Sequence, residues 1–242
     1  MRAFFNQHQD VYNGTEPPIY DVRKIPEVKM IEDNYNIFKD ELTSILNNEE
    51  TRQKAFKKRS YSKSPNWTQI ELMLYGLSYQ DKIDLFPQTH EILTKIEGVS
   101  TVYFSFLDKN ARIKAHNGDT DAFYRIHLGI DIPDGLPNCG MEVAGNQFEW
   151  QEGKCIAFND IYYHTAWNLT DKKRVVLIID LLLPKHRNQP DKINSGVITT
   201  LIISRSYKYV GIFIELLPRI LTRAIHPVLH FFVRGYFKFK NS

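Results

Sequence analysis

Hydrophobic and polar positions follow two different periods along the chain, and the change between them falls near residue 99. Over 28–48, Ile31, Tyr35, Phe38, Leu42 and Ile45 recur at three- and four-residue spacing after Pro26, which predicts one amphipathic scaffold helix. Residues 49–66 are polar and basic and predict a mobile connection. FPQTHEILTKIEG predicts a second, short helix closed by Gly98. From 99 to 184 the pattern becomes short β-branched and aromatic runs parted by turn residues. The runs are VSTVYFSFLD, ARIKAHN, AFYRIHLGIDI, GMEVAG, QFEWQ, KCIAFND, YYHTAWN and RVVLIIDLLLP, the last ended by Pro184. Strands so spaced predict an antiparallel sandwich or barrel, mainly β, with the helices packed outside.

Residues 195–240 change character again. Arg205, Lys208, Arg219, Arg223, His226, His230 and Arg234 fall in one sector at 100° per residue, and the remaining surface is nearly all Ile, Leu, Val and Phe. No uncharged apolar run reaches the ~18–20 residues that span a bilayer. Pro218 suits a helix start, and Pro227 is expected to kink or divide the helix. A wide apolar face with a basic stripe predicts a helix lying in a membrane interface, drawn to anionic lipid. The competing readings pack it on the barrel or into a dimer. The expected organisation is helical support over 1–59, a β domain over 60–190 and an amphipathic basic tail over 191–242.

Charge sharpens this division. The chain of 242 residues carries +3, and residues 195–242 alone carry +6, with seven Lys and Arg against Glu215, so residues 1–194 carry −3. Nothing in that larger part resembles a nucleic-acid footprint. Cys139 and Cys155 are too few for a disulfide framework and lack zinc spacing, which predicts a reducing compartment. The N-terminal MRAFFNQHQDVYNG holds no stretch apolar enough for a signal peptide, so a cytoplasmic protein peripheral on the membrane is expected. The sequons at Asn13, Asn66 and Asn168 are then of no consequence.

In AFYRIHLGIDI the alternation sends Tyr124, Ile126, Leu128 and Ile130 one way and Phe123, Arg125, His127 and Gly129 the other. On a solvent face Arg125 and His127 are ordinary. On a barrel interior, two buried donors without an acceptor are costly, so a bound anion is expected beside them, with Gly129 leaving it room. A hairpin over 162–183, turning at Leu169–Lys172, would bring His164 and Arg174 together across paired strands. His164 is then either core filling or half of a metal site, and the candidate for the other half is His116 in ARIKAHNGDTDAFYRIH.

The succession FSFLDKNARIKAHNGDT, YRIHLGIDIP, W-x-E-G-K-C-I-A-F-N-D, YYHTAWN and RVVLIIDLLLP resembles the aspartyl/asparaginyl β-hydroxylase family, over roughly residues 60–184. The resemblance implies a double-stranded β-helix (jelly-roll, cupin-like) and an iron(II)- and 2-oxoglutarate-dependent dioxygenase that hydroxylates an unactivated carbon. It implies His116 and His164 as the iron ligands, with Gly118 where the wider oxygenase class carries a carboxylate ligand. It places Ser105, Arg125, His127 and Arg174 on 2-oxoglutarate, Arg174 and Ser105 at the distal carboxylate, and O2 as the second cosubstrate. Asp160 matches an aspartate that orders an iron-bound water, while Asp119 and Asp121 read as turn residues. The chain departs from the family pattern at Asp119, Asp121, Glu142 and Asn159, which bears on the substrate: a lipid acyl chain or an Asp or Asn side chain in a peptide. Two other classes stay open, a barrel that binds a small anion or lipid without turnover, and an interaction module worked by its tail.

Overall fold

The computed structural model describes residues 3–6, 11–56, 66–210 and 219–240. In chain order these form β1 (Ile19–Tyr20), α1 (Pro26–Asp33), α2 (Tyr35–Asn47), α3 (Glu49–Phe56), β2 (Trp67–Leu74), β3 (Leu77–Ser78), α4 (Gln80–Ile83) and α5 (Pro87–Thr94). There follow β4 (Val99–Leu107), β5 (Ala111–His116), β6 (Phe123–Asp131), β7 (Cys139–Val143), β8 (Asn146–Phe148), β9 (Cys155–Phe158), β10 (His164–Asn168) and β11 (Arg174–Leu182). Two long helices close the order, α6 (Pro190–Val210) and α7 (Arg219–Lys240).

The eight strands β4 to β11 pair as nested couples, β4 with β11, β5 with β10, β6 with β9 and β7 with β8. Alternate couples fall in different sheets. One sheet runs β1-β9-β6-β11-β4-β2-β3 and the other β5-β10-β7-β8, both antiparallel. This is a jelly roll, a long hairpin wound into two facing layers. Between the layers lie Tyr103, Met141, Val143, Trp150, Phe158, Val176 and Ile178. The outer face of the larger sheet is covered by α1, α2 and α5, with Ile31, Phe38, Leu42 and Phe86 against Phe104, Ile126 and Leu177. Burial on both faces is why β4 and β11 read as nearly continuous apolar runs.

Four expectations change. The helix over 28–48 is two, because the Asn34 side-chain amide donates to the Met30 carbonyl at 2.8 Å and takes the place of the backbone bond that would continue it. The connection over 49–66 begins as α3, which Glu50–Lys54 at 2.6 Å spans, with Ala55 buried and Phe56 packed on Phe106; residues 57–65 lie outside the described residues. β2 was not foreseen and adds to β4 at the sheet edge. The predicted hairpin over 162–183 is not a paired ladder, since β10 and β11 belong to opposite sheets and the intervening turn crosses between them.

The C-terminal helices are joined to the jelly roll. Ile193 and Val197 of α6 are buried with Ala122, Phe123 and Leu182. Pro227 lies inside α7 without ending it. His226 and His230, placed with the basic stripe, turn inward instead: His226 is buried and His230 Nε2 meets Ser195 Oγ at 2.8 Å. Among the described residues no helix is long and apolar enough to cross a membrane. Asn168 is fully buried and donates to the carbonyls of Leu107, Asp108 and Lys172, which fixes the turn before β11 and closes that sequon to modification.

Glu41 is a buried carboxylate with a defined task. Its oxygens accept from the N–H groups of Gln88 and Thr89, both at 2.9 Å, and so cap the first turn of α5, which has no cap of its own. Glu41→Ala is expected to lower stability by about 1–2 kcal/mol in denaturant unfolding, with the site described below unchanged.

Candidate metal and anion site

His116 ends β5, His164 begins β10, and the two are register partners. Their ring centroids are 4.2 Å apart, with the planes tilted by 52°. Each ring is oriented by the carbonyl two residues before it, His116 Nδ1 with Lys114 O at 2.8 Å and His164 Nδ1 with Tyr162 O at 2.9 Å. A carbonyl only accepts, so each Nδ1 carries a proton, and in a neutral ring Nε2 is then the atom left to act as a ligand. Burial, reinforced by His116, pushes the His164 imidazolium down to about 3, so the ring is neutral. A neutral imidazole with a free pair of electrons is what a metal ligand must be.

No cluster of three His, Cys, Asp or Glu side chains placed to hold a metal occurs among the described residues. The geometry of Gly118 explains why. A Cβ there would lie 2.2 Å from Asp160 Oδ2, so the space a carboxylate-bearing residue at 118 would need is filled by Asp160 itself. The Gly118 N–H also donates to the Asp160 carbonyl at 2.6 Å. Two histidines remain, a donor set that suits a divalent transition metal leaving positions for water or a cosubstrate.

Arg125 does not await an anion. Its Nε and Nη2 donate to the two oxygens of Asp180 at 2.7 Å each, and Nη1 meets Asp160 Oδ2 at 2.6 Å. The acceptor that the strand pattern left to a ligand is supplied by the chain. Burial and the neighbouring Asp180 raise the Asp160 carboxyl to about 7 against the pull of Arg125. Nor does Gly129 make room, for a Cβ there would strike the Gln151 carbonyl at 2.3 Å. Asp121, expected as a turn residue, receives the Phe4 N–H and the Tyr12 hydroxyl and ties the N-terminal segment down.

Arg174 is the opposite case. It is 2% exposed, and no carboxylate pairs with it among the described residues. Its Nη1 donates to the Ser105 carbonyl at 3.3 Å and to Ser105 Oγ at 3.5 Å, its guanidinium lies 4.7 Å from the Trp150 ring centroid, and Nε has no partner. Burial lowers its pKa to about 10. Beside it the Trp150 indole donates to His127 Nδ1 at 3.4 Å, which leaves the His127 proton on Nε2, also buried and without a partner. Ser105 Oγ accepts from Trp67 Nε1 at 2.9 Å and keeps its own proton to donate. One small cavity of about 60 Å³ is lined by His116, His164, Ser105, Arg125, His127 and Arg174. A buried guanidinium without a carboxylate, beside the orphan His127 Nε2–H and the Ser105 hydroxyl, calls for an anion with several acceptor oxygens. Asp180, Trp150 and Trp67 complete the site and were not singled out from sequence. Only Asp180 had a signal, its place on the strand face of Arg174.

Two outcomes follow from the buried charges. Arg174→Met should leave the ligand-free protein as stable or more stable in urea unfolding, because it removes an uncompensated cation while keeping its volume. A dicarboxylate that stabilises the parent protein should lose that effect in the variant. Burial also depresses the His127 imidazolium well below its ordinary value. Unfolded chains protonate histidine near pH 6.5 where the folded site refuses the proton, so stability is lost as pH falls below that value. His127→Gln should therefore flatten the decline in metal-free protein between pH 6.5 and 5 by up to about 1.4 kcal/mol per pH unit. Comparing slopes cancels Asp160, whose raised carboxyl acts in the opposite sense.

Residues 32–184 match the sequence model of aspartyl/asparaginyl β-hydroxylase. An ornithine lipid ester-linked acyl 2-hydroxylase of Rhizobium tropici is 31% identical over 172 residues, covering 69% of this chain and 61% of that protein. The human aspartyl/asparaginyl β-hydroxylase is 24% identical over 172 residues, covering 65% of this chain and 21% of that one. The matched region thus spans less than two thirds of either relative. Among solved structures, a viral collagen prolyl hydroxylase in complex with 2OG aligns with a TM-score of 0.38 and 13% identity, over 60% of this chain and 91% of that one. By the extent of the sequence match and by the motifs that carry the site, the chain belongs to the aspartyl/asparaginyl β-hydroxylase family.

Proposed function

We propose that this chain is an iron(II)- and 2-oxoglutarate-dependent hydroxylase acting on an unactivated carbon of a lipid acyl chain, peripheral on the cytoplasmic face of a membrane. The observation that carries the reading is Arg174, a buried guanidinium without a carboxylate among the described residues, in the same cavity as two paired imidazoles each oriented through Nδ1 by a backbone carbonyl. His116 and His164 would hold the iron. Arg174 and Ser105 would receive the distal carboxylate of 2-oxoglutarate, and His127 Nε2–H would donate to the same molecule. Arg125, tied on two sides, is a positioning residue here and holds the Asp160 carboxyl against Gly118, beside the metal position.

When bound, iron(II) with 2-oxoglutarate and O2 supplies the oxidising power that replaces C–H by C–OH, with succinate and CO2 released. The chain's own part is orientation and dryness. Arg174 and Trp150 fix one end of the cosubstrate by charge and by a flat apolar wall. Phe158, whose ring centroid lies 5.4 Å from that of His164, and Met141 exclude water from the histidine side. Asp160 presents a hydrogen-bonding oxygen where a third protein ligand would otherwise stand.

A lipid substrate is favoured over an acidic peptide by charge. Among the described residues lining the cavity, Arg125 is spent on two carboxylates and Arg174 is required by the cosubstrate, so an aspartate side chain would enter without a cation to meet it. A hydrocarbon chain makes no such demand of Trp67, Ile113, Met141 and Ala166. The Rhizobium relative, named for an acyl hydroxylation, points the same way.

Incubation with iron(II), 2-oxoglutarate and O2 should form succinate, and His116→Ala should abolish it. Binding of 2-oxoglutarate without succinate would instead identify a non-catalytic barrel. Mass spectrometry of lipid and peptide extracts after turnover should find one added oxygen in an acyl chain; an oxygen found only on Asp or Asn would transfer the reading to a peptide substrate.

A further inference from the structure

The C-terminal helix carries a row of exposed apolar and aromatic side chains. On α7 Ile225, Val228, Phe231, Phe232, Tyr236 and Phe239 are all exposed, from 46% at Ile225 to 84% at Phe239. At 100° per residue, Ile225, Val228, Phe232, Tyr236 and Phe239 fall within a sector of about 80°, a straight ridge roughly 21 Å long. The opposite side of the helix is occupied. His226 is buried near Thr200, His230 contacts Ser195, and Phe237 is buried beside Gly76. The inward face is therefore used, the ridge faces out, and α6 carries the pair on the jelly roll through Ile193 and Val197. A contiguous apolar ridge on a helix fixed this way needs a partner.

Charge selects among partners. The segment that bears the ridge has a net charge of +6, and Arg234 is exposed on the side of α7 away from the ridge. Apposing two copies of this segment would bring like charges together, whereas an anionic lipid surface attracts them. Phe and Tyr side chains suit the boundary between headgroups and acyl chains, and no described helix could cross the bilayer. We propose that α7 lies flat in one leaflet of an anionic membrane, with Ile225, Val228, Phe232, Tyr236 and Phe239 inserted and the jelly roll held at the surface by α6. The proposal deepens the reading of a membrane-face enzyme and rests on it for its purpose, but binding is measured apart from turnover.

The test is cosedimentation of the full chain with vesicles of phosphatidylcholine alone or of phosphatidylcholine with phosphatidylglycerol. The protein should pellet with the anionic vesicles and much less with the neutral ones. Phe232→Ser with Phe239→Ser should weaken binding by at least about tenfold while circular dichroism and succinate formation, neither of which uses these side chains, stay unchanged. Arg234→Glu should weaken binding to anionic vesicles only. Equal pelleting of parent and double variant would overturn the proposal. So would parent protein that stays in the supernatant and forms a dimer by light scattering which the double variant abolishes, since a second copy would then own the ridge. Vesicle binding without succinate formation would leave the docking surface standing and sink the catalytic reading alone.

Discussion

Arg125 joins three parts of the molecule that the chain order keeps apart. Its guanidinium, on β6, takes both oxygens of Asp180 on β11 and one of Asp160 in the segment leading to β10. Asp160 in turn packs against Gly118, two residues past His116, and four residues before His164. One buried cation thus sets the approach of the two strands that carry the histidines. Removing one partner from such a network would leave a buried charge uncompensated, at a cost of about 3–5 kcal/mol. The requirement for glycine at 118 follows from the same contact.

The two buried arginines divide the work between structure and chemistry. Arg125 is saturated and holds the frame. Arg174 meets no carboxylate among the described residues, and the Ser105 oxygens and the Trp150 ring offset its desolvation only in part. On the proposed reading the site is built before an anion arrives, so the ordering cost would be met in folding and binding would not repeat it. The neutral His127 belongs to the same arrangement, since a charged ring beside Arg174 would repel it.

Much of the fold was legible because burial left a period in the chain. The strands β4 to β11 were each marked by apolar runs and turn residues, and α5 by its apolar spacing with Gly98 after it. β2 was not, because its edge position and its Glu71 blur the alternation, and the break at Asn34 was not, because a single side-chain amide decides it. The face shared by Arg125, His127 and Gly129 was read correctly as a face. What filled it was misread, since neither Asp160 nor the Gln151 carbonyl is near in sequence.

Sequence alone determined which residue types line the site, because a strand's period of two places Arg125 with His127, and the order of motifs carried His116 and His164 with them. It also determined that the C-terminal segment is basic and amphipathic. Tertiary structure decided which arginine is free, that His164 and Arg174 meet across a cavity from opposite sheets and not along a hairpin, and that the apolar ridge of α7, not its histidines, faces outward. The physical reason is common to all three. A strand or helix pattern states what a side chain can offer on one face, but whether a charge is paired or a face covered depends on elements distant in the chain.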